Sequence, residues 1–168
     1  MVIALSQTFK SLNVNAMIIN QQKVEKAVQV LDALKESQYL NGFPKEMKGD
    51  ISSFGASIIQ AGLLPSVLFF SEGNILVPKR ENEKNNDEDT KLRRARLMKV
   101  VFDVLELPDM DEYAKERPLL DYVRQNLSNL NAALDSITEA ALAVKIALRA
   151  FEFTEKESKS STSNDATP

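Results

Sequence analysis

The chain holds neither cysteine nor histidine, which removes most of the side-chain chemistry that operates near neutral pH. Disulfides and thiolate or imidazole zinc sites are excluded. So is nucleophilic catalysis by a cysteine or by a Ser–His pair. What remains is chemistry built from carboxylates and lysines. A Mg²⁺ site would need several Asp and Glu residues to converge, and here the acids are scattered over helix surfaces and loops. The expectation is a non-enzyme with no metal and no cofactor; a carboxylate–metal site is the catalytic alternative.

The cations offer more. The densest run is Lys91, Arg93, Arg94, Arg96 and Lys99. On a helical wheel Arg96 and Lys99 face solvent and Arg93 borders the apolar face. Arg94 falls on the apolar face, in a first turn from which its head can reach water. Cations near a helix N-terminus oppose the macrodipole, so helix formation does not account for them. Either the acidic residues just upstream neutralise them, or they form a phosphate-facing patch. A second pair, Lys145 and Arg149, lies one turn apart. Arg149 can form a solvated pair with Glu152, worth little, or the two cations can straddle a nucleic-acid backbone. The net charge of −3 argues against strong nucleic-acid binding by the chain alone. The eight Phe and three Tyr sit mostly at core spacing, so base-stacking platforms are not expected.

These residues need a scaffold, and the spacing predicts one that is all-α: a compact bundle of five or six helices. Between about Gln21 and Tyr39, the set Val24, Ala27, Val28, Leu31 and Leu34 shares one face, with the start of the helix possible as far back as Asn13. Asn41-Gly42-Phe43-Pro44 stops it. A second helix is expected from Asp50, read as its N-cap, to Ala61, with Ile51, Phe54, Ile58 and Ala61 inward. Gly62 suits the position after its end, and Pro65 the first turn of the next helix.

Ser71 to Thr90 reads as a charged loop. A helix from about Lys91 to Leu107 follows, with Leu97, Met98, Val101, Phe102, Val104 and Leu105 inward. Pro118 opens another, with Leu119, Val123, Leu127 and Leu130 inward. The last is expected to start at Ser136-Ile137-Thr138-Glu139, read as a capping box, and to bury Ile137, Ala141, Val144, Leu148 and Phe151.

Leu142, Ile146 and Phe153 form a second apolar stripe on that closing helix. A helix apolar on two sides is central in its bundle or shared with a partner. Length and composition favour one domain over residues 1–153, with a disordered tail over 154–168. No run approaches the roughly 18 apolar residues of a membrane span, and Met1 to Leu5 is too short for a signal-peptide core. A cytoplasmic protein is expected.

The segment Phe54-Gly55-Ala56-Ser57-Ile58-Ile59-Gln60-Ala61-Gly62-Leu63-Leu64-Pro65-Ser66-Val67-Leu68-Phe69-Phe70 is an apolar helix, a Gly-Leu break and a short Leu/Phe-rich helix. It resembles the signature of the small subunit of the type III-B CRISPR effector (RAMP-module) complex. The likeness extends from about Gln21 to Phe153, through the first and closing helices. It implies a helical, non-catalytic subunit that stacks in a minor filament beside the backbone and large subunits, with basic surfaces lining the groove of guide RNA and target RNA. Gly62, Leu63 and Phe69 match the motif and would be structural.

Within that family RNA contacts come from scattered basic residues. The assignment of Arg93, Arg96, Lys99, Lys145 and Arg149 to RNA, and of Leu142, Ile146 and Phe153 to a protein interface, therefore rests on the wheels. The upstream acidic segment and a pI of about 5.2 depart from what an RNA-facing subunit would show. A helical adaptor or regulator with no RNA role is the competing reading.

Overall fold

The computed structural model describes residues 21–73, 75, 86–113 and 115–154. Among them are six α-helices, three single 3₁₀ turns and one two-strand ladder, an all-α bundle as the spacing predicts. The readings placed on residues 1–20 and 155–168, and on most of 74–85, lie outside this range. No helix among the described residues is long and apolar enough to cross a membrane.

Helix α1 covers residues 21–38 and buries Ala27 and Leu31 completely. Its exit is fixed by Gly42, whose φ of +107° few L-residues adopt. A Cβ there would also sit 3.1 Å from the Glu152 carbonyl oxygen. The chain then enters strand β1 (Phe43–Pro44), which pairs in parallel with β2 (Phe153–Thr154). Phe43 is fully buried and meets the Tyr39 and Phe151 rings at centroid distances of 5.4 and 5.3 Å.

Helix α2 (Glu46–Ala61) starts four residues before the predicted cap. Asp50 is therefore a buried interior residue of that helix, in line with Met47, Ile51 and Phe54. Ile58 is half-buried and Ala61 exposed, so the apolar face ends earlier than predicted. Gly62, at φ +88°, donates its N–H to the Ile58 carbonyl at 3.0 Å and opens α3 (Leu63–Phe70). The hydroxyl of buried Ser66 donates to the Gly62 carbonyl at 2.7 Å and lies 2.8 Å from that of Ser57. The Gly-Leu break is thus a hydrogen-bonded joint between two helices.

Helix α4 (Asn86–Val104) begins inside the segment read as a charged loop. Acidic residues in an opening turn sit at the positive end of the helix dipole, which allows the sequence from Asn86 to Thr90 to be helical. The helix ends at Val104, short of the predicted Leu107, and Glu106 takes a left-handed φ of 52°. Its apolar face follows the prediction for Leu97, Met98, Val101, Phe102 and Val104, all buried, whereas Leu105 lies past the helix end and is half-buried. Upstream, Gly73 lies so close to α4 that a Cβ would stand 2.4 Å from the Lys91 carbonyl oxygen.

Helix α5 (Pro118–Gln125) buries Leu119 and Val123. Leu127 and Leu130 are exposed, contrary to the prediction, because α5 stops and a 3₁₀ turn (Leu127–Asn129) redirects the chain. Helix α6 runs from Leu130 to Ala147, so Ser136 and Glu139 lie in mid-helix and form no capping box. A 3₁₀ turn (Leu148–Ala150) then takes Phe151 and Phe153 off the helix axis.

Candidate functional site

The basic run on α4 is largely turned inward. Asp50 of α2, 6% exposed, accepts a hydrogen bond from Arg93 Nε at 2.6 Å on one carboxylate oxygen and from Arg94 Nε at 3.3 Å on the other. A buried carboxylate needs such compensation, and two guanidiniums supply it while joining α2 to α4. Arg94 also lies over the rings of Phe69 and Phe70, 5.0 and 5.3 Å from their centroids. Its head does not simply escape to water: it caps an aromatic pair. Phe69, taken as structural, is half-exposed, whereas Leu63 is buried.

Arg96 and Lys99 are less open than the wheel predicts: both are half-buried as residues, although 41% of the Lys99 side chain stays exposed. Arg96 donates from Nη1 to the Tyr39 hydroxyl at 3.2 Å and lies 5.6 Å from that ring's centroid. Lys99 is chelated by Asp103 one turn on, at 2.5 and 2.6 Å. Arg93 and Arg96 are thus engaged by residues outside α4, and Lys99 by Asp103 of its own helix, so the three do not present a strip of free cations.

Arg96 and Lys99 line an open groove of about 500 Å³ between α1 and α4, with Met110, Asp111, Tyr113 and Pro118 also on its wall. Burial, and then the neighbouring Tyr122, raise the pKa of the Tyr113 hydroxyl above its usual 10.0. Among the described residues no group of three acidic side chains is arranged to hold a metal ion.

The outer face of α6 differs. Leu142, Lys145, Ile146 and Arg149 follow at i, i+3, i+4 and i+7, and all four are exposed. Leu142 is 50% and Ile146 42% exposed, one turn apart, beside two cations with no ion pair among the described residues. Lys145 lies in the last turn of α6, where positive charge is favoured by the helix dipole. At the amino-terminal side of this face Glu139 is paired with Lys23 of α1.

Phe153 does not belong to this face. Leaving the helix places it in β2, half-buried, with the Lys48 ammonium 3.8 Å from its ring centroid. The Asp50 junction carries no signal in the local sequence of α2. Its only trace is Arg94, a charged residue on an apolar face that needs a partner. No family model, no curated protein and no solved structure matches the chain.

Proposed function

We propose that the chain is a non-catalytic small subunit of a ribonucleoprotein effector of the type III-B CRISPR kind. It would stack against copies of itself and against backbone and large subunits, and touch guide and target RNA without reading sequence. The observation that carries this reading is the α6 face, where exposed Leu142 and Ile146 adjoin Lys145 and Arg149, cations with no ion pair among the described residues. Apolar side chains in the open beside unneutralised cations suit a surface shared between protein and phosphate. The resemblance carried by Phe54–Phe70 gives the family, and the hydrogen-bonded joint at Gly62 is compatible with it. Of the RNA assignments, Lys145 and Arg149 are retained. Arg93, Arg96 and Lys99 are replaced by structural roles.

Purification from the native host should bring down partner proteins and a small guide RNA. The double charge reversal Lys145→Glu with Arg149→Glu should weaken target-RNA binding by that complex about tenfold. It should also flatten the salt dependence by roughly 1.5 in log–log slope, as two phosphate contacts in single-stranded RNA require. Recovery of the protein without RNA, or unchanged affinity in the double variant, overturns the RNA reading.

The second reading, a helical adaptor with no RNA role, is favoured by one observation: Arg93 and Lys99 are neutralised inside a chain of net charge −3. Under it, Leu142→Ser with Ile146→Ser abolishes capture of a protein partner while the charge reversal does nothing to RNA.

A further inference from the structure

The cationic end of the α6 face has a counterpart on α1. Glu25, Gln29, Asp32 and Glu36 follow at i, i+4, i+7 and i+11 along the outer side of α1, and all four are exposed. Glu25 accepts a hydrogen bond from Gln21. Asp32 and Glu36 have no ion pair among the described residues. The cations of the same helix do not neutralise them: Lys23 holds Glu139, Lys26 holds Glu106, and Lys35 is half-buried. Leu40, in the turn after the helix, is 79% exposed.

On α6 the acids near Lys145 and Arg149 are likewise engaged or distant. Glu139 is taken by Lys23, and Asp135 lies about 15 Å from Lys145 along the helix axis. Exposed Glu152 follows the closing 3₁₀ turn and forms no ion pair with Arg149. The two unlike pairs share a pitch: Asp32 and Glu36, like Lys145 and Arg149, stand one turn apart, about 6 Å. No ion pair joins them within one molecule. A chain of net charge −3 repels its copies unless unlike patches are brought together.

We infer that the α6 face docks on the outer side of α1 of a second copy. Lys145 and Arg149 meet Asp32 and Glu36 there, with Leu142 and Ile146 as the apolar part of the contact and Leu40 at its edge. The inference rests on the reading of α6 as a subunit contact and adds the surface that receives it. Lys145 and Arg149 are then open to phosphate only on a copy whose α6 face is uncovered. Exposed ion pairs contribute little each, so the isolated chain associates weakly.

Sedimentation of the purified full chain, without RNA, tests this. Association should be reversible, with a dissociation constant of roughly 0.1–1 mM, and about fivefold weaker in 0.5 M than in 0.05 M salt. Lys145→Glu with Arg149→Glu, and separately Asp32→Lys with Glu36→Lys, should each leave a monomer. An equimolar mixture of the two variants should recover association, and so should one chain carrying all four reversals. Misfolding of either variant does not imitate that recovery. A parent chain that stays monomeric throughout this range overturns the inference, as does association untouched by the α1 reversals or a mixture that remains monomeric. The RNA reading fails on a different result, the absence of guide RNA from the native purification. Loss of RNA affinity that persists in the four-reversal chain belongs to phosphate contact, because self-contact is restored there.

Discussion

Asp50 and Arg93 face each other across the α2–α4 contact, with 2.6 Å between Oδ2 and Nε and both side chains almost shut off from solvent. Truncating one partner of a buried pair leaves the other charge uncompensated, at a typical cost of about 3 kcal/mol or more. Asp50→Ala strands two guanidiniums and should lower unfolding free energy by about that amount in urea titrations. Arg94→Gln, at a more open position, should cost only about 1 kcal/mol. Equal losses from the two would mean that the carboxylate is not the centre of the junction.

Glycines give a test of opposite signs. Gly49 and Gly55 lie inside α2 with open space where a Cβ would go. Alanine at either should stabilise by about 0.5–1 kcal/mol, the usual difference within a helix. Gly73→Ala forces a methyl against the Lys91 carbonyl, and overpacking of this kind costs about 1–3 kcal/mol. Thermal melts of the three variants should therefore move in two directions.

Ser136 distinguishes a cap from a helix interior. Were it an N-cap, Ser136→Ala would cost about 1 kcal/mol. Since α6 runs from Leu130 through this position, alanine should be neutral or stabilise by a few tenths of a kcal/mol. A loss of a full kcal/mol in chemical denaturation would contradict the continuous helix.

The exposed pair on α6 should be dispensable for folding. Leu142→Ser with Ile146→Ser ought to shift stability by less than about 0.5 kcal/mol per site, as at ordinary surface positions. Cooperative urea curves that overlay the parent would agree. A large drop would mean that the two side chains are covered in the folded chain.

Tyr113 sets an alkaline limit. Its hydroxyl holds the proton to higher pH in the folded chain than at the usual value of 10.0, because of burial and the nearby Tyr122. The native state then binds more protons than the unfolded state above that value, so this contribution to stability is complete below about pH 10 and is lost as pH rises through the folded pKa. Tyr113→Phe should flatten the alkaline limb of a stability–pH curve, and an unchanged limb would rule out Tyr113 as its source.

How far the sequence was readable depended on whether a signal was local. The Gly62 break, the Gly42 stop and the apolar face of α4 follow from backbone freedom and helical period, and all three stand in the structure. Asp50 reads as a cap because an acid ahead of an apolar run looks the same whether it caps a helix or awaits arginines from about forty residues downstream. Ser136-x-x-Glu139 matches a capping box, but four residues cannot outweigh the helix-favouring stretch Leu130-Asn131-Ala132-Ala133-Leu134 that precedes it. For the site, exposure of Lys145 and Arg149 was visible from the wheel. Loss of Arg93, Arg96 and Lys99 to Asp50, Tyr39 and Asp103 was only partly so: Asp103 lies four residues from Lys99, while the other two partners are remote in sequence.

The parallel pairing of Phe43 with Phe153 has a bearing on biosynthesis. Thr154 donates its hydroxyl to the Phe43 carbonyl across 111 positions of sequence, and Lys23 reaches Glu139 across 116. Such contacts close long loops and reward the polypeptide only after that entropy has been lost. During translation the early aromatic cluster around Phe43 must therefore wait, unsealed, until the last described residues have cleared the ribosomal tunnel. A chain arrested before Phe151 should therefore leave that cluster open and be a substrate for chaperones.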